Sequence, residues 1–176
     1  MRANRVNPSL KIRVAVPADI KSIASVLSES FAEFKSAYTA EAFAATTPTA
    51  EQIRARWSEG PIWIAVSNSA VIGTVAAVVK QDSLYVRSMA LLPAARGREI
   101  GRVLLRQVEA YAFEHSCKRM FLSTTPFLTQ AIKLYERHGF RRSRKGPHDL
   151  FGTSLFTMEK AVEVQAEPSD NQYHTI

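Results

Sequence analysis

The 176-residue chain has one cysteine, Cys117, so no intrachain disulfide is available, in keeping with a reducing compartment. It has no stretch near the roughly 18 uninterrupted apolar residues of a membrane-spanning helix. The basic Arg2 and Arg5 are not followed by the apolar run of a signal peptide; the expectation is a soluble, cytoplasmic protein without a membrane partner. Both familiar nucleotide loops are missing too. No Gly-Lys-Ser/Thr follows four variable residues, and the Gly-x-Gly-x-x-Gly spacing is absent, which argues against a P-loop NTPase and a dinucleotide-binding Rossmann unit. The formal net charge is +7, and Arg137, Arg141, Arg142, Arg144 and Lys145 form the densest basic run. No aromatic-interleaved platform, helix-turn-helix, zinc-finger or RNP-like pattern accompanies it, so specific nucleic-acid binding is not expected.

What the chain does have is a globular composition, 46% hydrophobic and 22% charged, and one stretch around which the rest is organised. Met89 to Leu105 reads as a buried strand, a turn rich in Arg and Gly, and a helix whose Ile100, Leu104, Val108 and Tyr111 or Ala112 share a face. A helix start presents unpaired backbone N–H groups and a dipole end worth roughly half a positive charge. Gly97 and Gly101 let backbone approach a ligand, and Arg96, Arg98 and Arg102 add full charges. This is an anion cradle of a size suited to a pyrophosphate. An ordinary glycine turn with solvated arginines has the same spacing, and the motif alone does not separate the two.

Along the chain, residues 1–9 read as a flexible lead-in and residues 10–160 as one domain, with a disordered tail over 161–176. Leu10 to Val16 alternates as a strand, and Ile20, Ile23, Leu27, Phe31 and Phe34 keep helical spacing. Residues 35–47 show no clear period. Thr49 and Gln52 have capping-box spacing ahead of Ile53 and Trp57, and Gly60-Pro61 ends that helix. Ile62–Ser67 and Val71–Val79 form a hairpin, and Leu84–Leu92 is the strand entering the cradle. Met120-Phe121-Leu122 is a buried strand, residues 127–138 a helix, and Phe140 starts another strand. Gly146-Pro147-His148-Asp149 is a loop before a last strand through Leu155, Phe156 and Met158. The class is α/β, a mixed sheet flanked by helices.

Arg96-Gly97-Arg98-Glu99-Ile100-Gly101, after Leu92-Pro93, resembles the Arg/Gln-x-x-Gly-x-Gly/Ala motif of the GNAT superfamily of acyl-CoA-dependent N-acetyltransferases. Ala131-Ile132-Lys133-Leu134-Tyr135-Glu136-Arg137-His138-Gly139-Phe140 resembles its second motif, Ala-x-x-Leu-Tyr-x-x-x-Gly-Phe, in the right order and at the right separation. The resemblance implies a mostly antiparallel central sheet of about seven strands with about four helices. It implies acetyl-CoA as co-substrate, an amine acceptor on a small molecule or a peptide or protein, no metal, and a monomer or homodimer. It places the pantetheine arm and acetyl group along Met89, Ala90 and Leu91. The pyrophosphate would sit on the amides of Gly97, Arg98, Glu99, Ile100, Gly101 and Arg102, with Arg96 at the motif's first basic position. Tyr135 becomes the general acid toward the CoA sulfur. The region between the first two helices would help form the acceptor pocket, with Phe34, Tyr38 and Phe43 as lining candidates.

Three positions depart from the family pattern. Glu99 stands where glycine is common, and its carboxylate must face away from a pyrophosphate. Leu128 stands where Asn is common. Tyr85-Val86-Arg87-Ser88 supplies no carboxylate where a glutamate base is common, leaving Tyr85, Ser123, Thr124, His148, Asp149 or bulk water to take the amine's proton. A non-catalytic acyl-CoA-binding regulatory module therefore stands as the alternative to an enzyme.

Overall fold

A computed structural model describes residues 9–163; the expected lead-in up to residue 8 and the tail from residue 164 fall outside the described residues. Eight strands and five α-helices run, among these residues, as β1 (Lys11–Val14), α1 (Ile20–Phe31), α2 (Ala40–Thr46), α3 (Ala50–Ala55), β2 (Ile62–Ser67), β3 (Ala70–Lys80), β4 (Ser83–Leu91), α4 (Ile100–Glu114), β5 (Arg119–Thr124), α5 (Thr129–Arg137), β6 (Arg141–Arg142), β7 (His148–Leu150) and β8 (Thr153–Ala161). The sheet order is β1-β2-β3-β4-β5-β8-β6, with β7 paired to β8. Every pairing is antiparallel except β4 with β5. This is the mixed, mostly antiparallel α/β architecture expected.

Period-two alternation sorts the strands between two layers. Ile64 of β2 faces α1, while Trp63 and Ala65 face α4. On the first side α1 buries Ile20, Ile23, Val26 and Leu27; on the other α4 buries Ile100, Leu104, Leu105, Val108 and Ala112. Each fully buried aliphatic side chain contributes about 1.5–3 kcal/mol relative to exposure. None of the described helices is long and apolar enough to cross a membrane.

Some local expectations change. The aperiodic stretch 35–47 contains α2, seven residues long and rich in alanine, too short to display a period but started by the Thr39 hydroxyl accepting from Ala42 N–H at 3.2 Å. The expected loop at 146–149 contributes His148 and Asp149 to β7, which turns into β8 through Phe151 and Gly152, at φ 47° and 88°. The expected tail begins too early, because Ala161 still pairs with Arg119 and Val162 N–H donates to Lys118 O at 2.9 Å.

Two irregularities of β4 shape the centre of the sheet. Thr74 pairs with Ala90 but Ala76 pairs with Arg87, so Ser88 and Met89 bulge opposite Val75. Ser88 takes φ 53° there. The extra residue reverses the alternation: Val86 faces α4, yet Ala90 packs in the α1 layer. The ladder to β5 runs only from Ser83↔Arg119 to Tyr85↔Phe121. Beyond Tyr85 the two parallel strands part.

Candidate active site

At the end of β4, Pro93–Ala95 makes a short 3₁₀ turn and the chain enters α4 through two left-handed residues, Gly97 at φ 74° and Glu99 at φ 64°. Glu99 is the N-cap but its side chain caps nothing. The amides from Gly97 to Arg102 donate to no backbone or side-chain acceptor among the described residues; the first intrahelical bond of this turn is Val103 N–H to Glu99 O, 3.1 Å. Six consecutive N–H groups at the positive end of a four-turn helix stand open to solvent or to an anion, and a pyrophosphate fits them. The residues present fit the group the sequence called for.

The two glycines of this motif do different things. A Cβ on Gly97 would meet nothing within 4 Å, and it is the positive φ that calls for glycine. A Cβ on Gly101 would stand 2.7 Å from Leu134 Cδ2 and 3.4 Å from Leu91 Cδ1 and Met89 Cε. Gly101 thus brings α4 against the end of β4 and α5. Met89, Ala90 and Leu91 lie just past the parting of the strands. Arg98 and Glu99 are exposed, and among the described residues the Glu99 carboxylate pairs with Arg102, at 3.4 Å. The Arg96 guanidinium pairs with the Glu33 carboxylate and donates to Ser30 O at 2.9 Å. The sequence offered no signal for this link to the end of α1.

Tyr135 stands on the buried face of α5, 6% exposed. The helix closes behind it: Gly139, at φ 98°, donates to Glu136 O, and Phe140 N–H returns to Tyr135 O at 3.0 Å. Phe140 is wholly buried and meets the Tyr135 ring edge-on at 6.0 Å. Burial raises the Tyr135 phenol well above its ordinary pKa, and the nearby Tyr38 raises it further. Tyr135 therefore keeps its proton at neutral pH. The Tyr38 hydroxyl lies beside those of Thr125 and Thr46, and its own pKa is raised by burial. The Thr124 hydroxyl at the end of β5 is buried without a hydrogen-bond partner among the described residues, while that of Thr125 adjoins the Tyr38 hydroxyl. The orphaned Thr124 hydroxyl points to a polar ligand beside the parted strands.

Of the lining candidates, Tyr38 packs on Phe31 (6.5 Å), Phe43 (6.0 Å) and Phe127 (4.9 Å), and Phe34 lies 6.2 Å from Phe127. Phe127, which the sequence reading passed over, holds this cluster together; its only sequence signal was an aromatic after proline in the β5–α5 loop. The base candidates scatter. Tyr85 stacks on Phe121 at 5.2 Å, and burial raises its pKa against the pull of Arg87 and Arg56. Arg87 in turn pairs with Glu59 at 2.7 Å. Ser123 is exposed on β5. His148 Nε2 lies 3.1 Å from Thr157 Oγ1, and the Asp149 carboxylate accepts from Gly152 N–H at 3.0 Å within the hairpin turn. Leu128 is the residue before α5, its N–H donating to Thr125 O.

A bulged strand parting from its parallel neighbour, an open helix start at its end and a buried phenol on α5 make up the candidate site. The sequence profile of the Acetyltransferase (GNAT) family matches residues 24–140. The chain belongs to the GNAT acetyltransferase family, whose acetyl donor is acetyl-CoA. It is 37% identical over 82 residues to N-acetylaspartate synthetase of Danio rerio, covering 46% of this chain and 29% of that protein. To IAA acetyltransferase of Azospirillum brasilense it is 34% identical over 102 residues, 56% of this chain and 66% of the other. The chain thus spans less than a third of the length of the first of these relatives. In fold it is similar to the PaiA N-acetyltransferase of Thermoplasma acidophilum in complex with coenzyme A, with a TM-score of 0.73, 20% identity, and coverage of 87% of this chain and 99% of that one.

Proposed function

We propose that this chain transfers the acetyl group of acetyl-CoA directly to a primary amine, with Tyr135 as the general acid. The observation that carries this reading is the run of six unpartnered amides, Gly97 to Arg102, opening beside the point where β4 leaves β5. The pyrophosphate takes those amides, with Arg98 and Arg102 adding charge around it. The backbone of Met89, Ala90 and Leu91, freed from β5, holds the pantetheine arm and fixes the thioester beneath Tyr135.

The chemistry asks little more of the side chains. The amine nitrogen uses its lone pair to form the new N–C bond as the C–S bond breaks. Tyr135 supplies the proton that the departing sulfur takes, and a phenol kept protonated by burial is suited to that task. Tyr135 is reprotonated by the proton that the acceptor nitrogen sheds through solvent. No carboxylate stands at the Tyr85 position, so the acceptor is used as the free amine.

Two measurements on one sample test the reading. Acetyl-CoA at about 100 times its Kd adds about 2.7 kcal/mol of stability, read as a rise in Tm. Addition of amine then releases CoA thiol. A Tm rise without thiol release under any amine defines the acyl-CoA-binding module instead, and the absence of both removes the family's chemistry from this chain.

A further inference from the structure

An open cleft of about 660 Å³ lies between the α1–α2 connection, the β5–α5 loop and the β7–β8 turn, walled by Ala37, Tyr38, Thr39, Phe127, Thr153 and Ser154 among others. The size suits a small molecule. Its two outer walls are tied together: Thr39 N–H donates to Thr153 Oγ1 at 3.0 Å, and the Thr39 hydroxyl donates to Phe151 O at 2.7 Å. The cleft is thus a built feature rather than a gap between loops. Among its walls Tyr38 packs on Phe127 at 4.9 Å, in the loop that leads directly into α5, the helix that carries Tyr135.

The lining carries no charged side chain, on a chain whose formal charge is +7. Three ionic groups of the surrounding elements have partners of their own. Lys35 lies over the Phe43 ring at 5.7 Å, Glu33 holds Arg96, and Asp149 holds the hairpin turn. What the cleft does offer is aromatic lining: Phe127 with Tyr38 edge-on at 4.9 Å, Phe127 being backed by Phe34 at 6.2 Å. Such faces and edges accept a flat ring at favourable offset or perpendicular angles. A carboxylate entering here would lose its water and find no cation to replace it.

We infer that the acceptor is a small amine borne on a flat, apolar, ring-bearing body, uncharged apart from the amine, seated on Phe127 and Tyr38 with its nitrogen toward Tyr135. This rests on the acetyl-transfer reading and narrows it. It also sets this chain apart from an enzyme that acetylates an acidic amino acid. The test compares phenethylamine with aspartate as acceptors, reading CoA thiol release, with the Tm rise under acetyl-CoA recorded for each sample. The expected result is a kcat/KM for phenethylamine about tenfold or more above that for aspartate. Phe127→Ala should raise the KM for phenethylamine several-fold and leave the KM for acetyl-CoA alone. Saturation-transfer NMR of phenethylamine on the protein reads the cleft without any chemistry, and its signal should weaken in Phe127→Ala. A preference for aspartate, equal rates, or no turnover of phenethylamine by a protein that binds acetyl-CoA overturns the inference while leaving the donor site standing. Failure to bind acetyl-CoA overturns the transfer reading itself.

Discussion

The proposed donor side and the proposed acceptor side of this site are made of different material. Around α4 the candidate binding groups are backbone: six amides, two left-handed residues and the bulged strand that parts from β5. Around Tyr38 they are side chains carried in from segments far apart in sequence, with Thr39 reaching Thr153 and Phe127 meeting Phe34 and Tyr38. The helix starts show the same contrast. α2 and α3 begin on Thr39 and Thr49, whose hydroxyls accept from Ala42 and Gln52 N–H. α4 begins on Glu99, which caps nothing. α1 and α5 also start without a side-chain cap, on Asp19 and Leu128, so what sets α4 apart is the glycine-flanked, left-handed entry at the end of β4. A backbone-built site constrains conformation and so leaves glycines at fixed spacing, whereas a site of converging side chains leaves no local pattern.

Tyr135→Phe, which removes one oxygen where the two sides meet, has the largest expected effect. The ring still packs on Phe140, so Tm should hold within about 1 kcal/mol of stability, and the Tm rise with acetyl-CoA should persist. Turnover should fall by about 10²–10⁴-fold. Unchanged turnover would leave Tyr135 as a core aromatic and move the proton donor elsewhere.

Gly97→Val attacks the donor side alone. A β-branched residue at φ 74° is strained, and nothing within 4 Å of the new Cβ confuses the cause with a clash. The reorganised turn should abolish the acetyl-CoA-dependent Tm rise at ligand levels that saturate the unaltered protein. The same strain lowers Tm by a few degrees without ligand, at about 2–4 °C per kcal/mol for a chain of this size. Retention of the full Tm rise would mean that the amides are not the anchor.

Arg96→Ala crosses the boundary between the two sides. The motif makes Arg96 a donor residue, but its guanidinium holds Glu33 and Ser30 O at the end of α1. The expected outcome is an acetyl-CoA Kd within about twofold of the unaltered value, as for loss of a part-exposed ion pair, together with a several-fold higher acceptor KM. Glu33→Gln should copy the acceptor effect. A large loss of acetyl-CoA affinity in Arg96→Ala would return this residue to the donor side.

The sequence made the two layers, the order of the sheet's main elements and the position of the cradle readable, because periodicities of 2 and 3.6 and the glycine spacing are local. It also marked Tyr135, through the glycine that ends its helix. The bulge at Ser88 was invisible: serine at φ 53° carries no signature, and only pairing with β3 shows the extra residue. The Arg96 contact with Glu33 was unreadable for a related reason, since a motif position specifies where the backbone runs and not which partner the side chain finds. Phe127 and Thr153 were unreadable because their roles depend on distant partners, Phe34 and Tyr38 for the one and Thr39, more than a hundred residues away, for the other.

Two small, opposite effects finish the comparison of the helix starts. At α3, Thr49→Ala removes the hydroxyl that accepts from Gln52 N–H at 3.2 Å and breaks a capping box whose other half is Gln52 Oε1 accepting from Thr49 N–H at 2.9 Å. Loss of such a cap costs about 1 kcal/mol. At α4, Glu99→Gly removes nothing that caps, relieves a non-glycine residue held at φ 64°, and deletes a carboxylate beside the cradle. Relief of a left-handed residue is worth about 1 kcal/mol, part of it returned as added freedom of the unfolded chain. Tm should therefore fall by a few degrees in Thr49→Ala and hold or rise slightly in Glu99→Gly. The ligand response should separate them further. Thr49→Ala keeps the same Tm rise with acetyl-CoA, whereas Glu99→Gly increases it, most visibly at low salt where the lost negative charge is least screened. Were Glu99→Gly to lower both Tm and the acetyl-CoA response, the left-handed cap and its Arg102 contact would be holding the cradle in shape, and the open start of α4 would be as much the protein's own structure as the capped starts of α2 and α3.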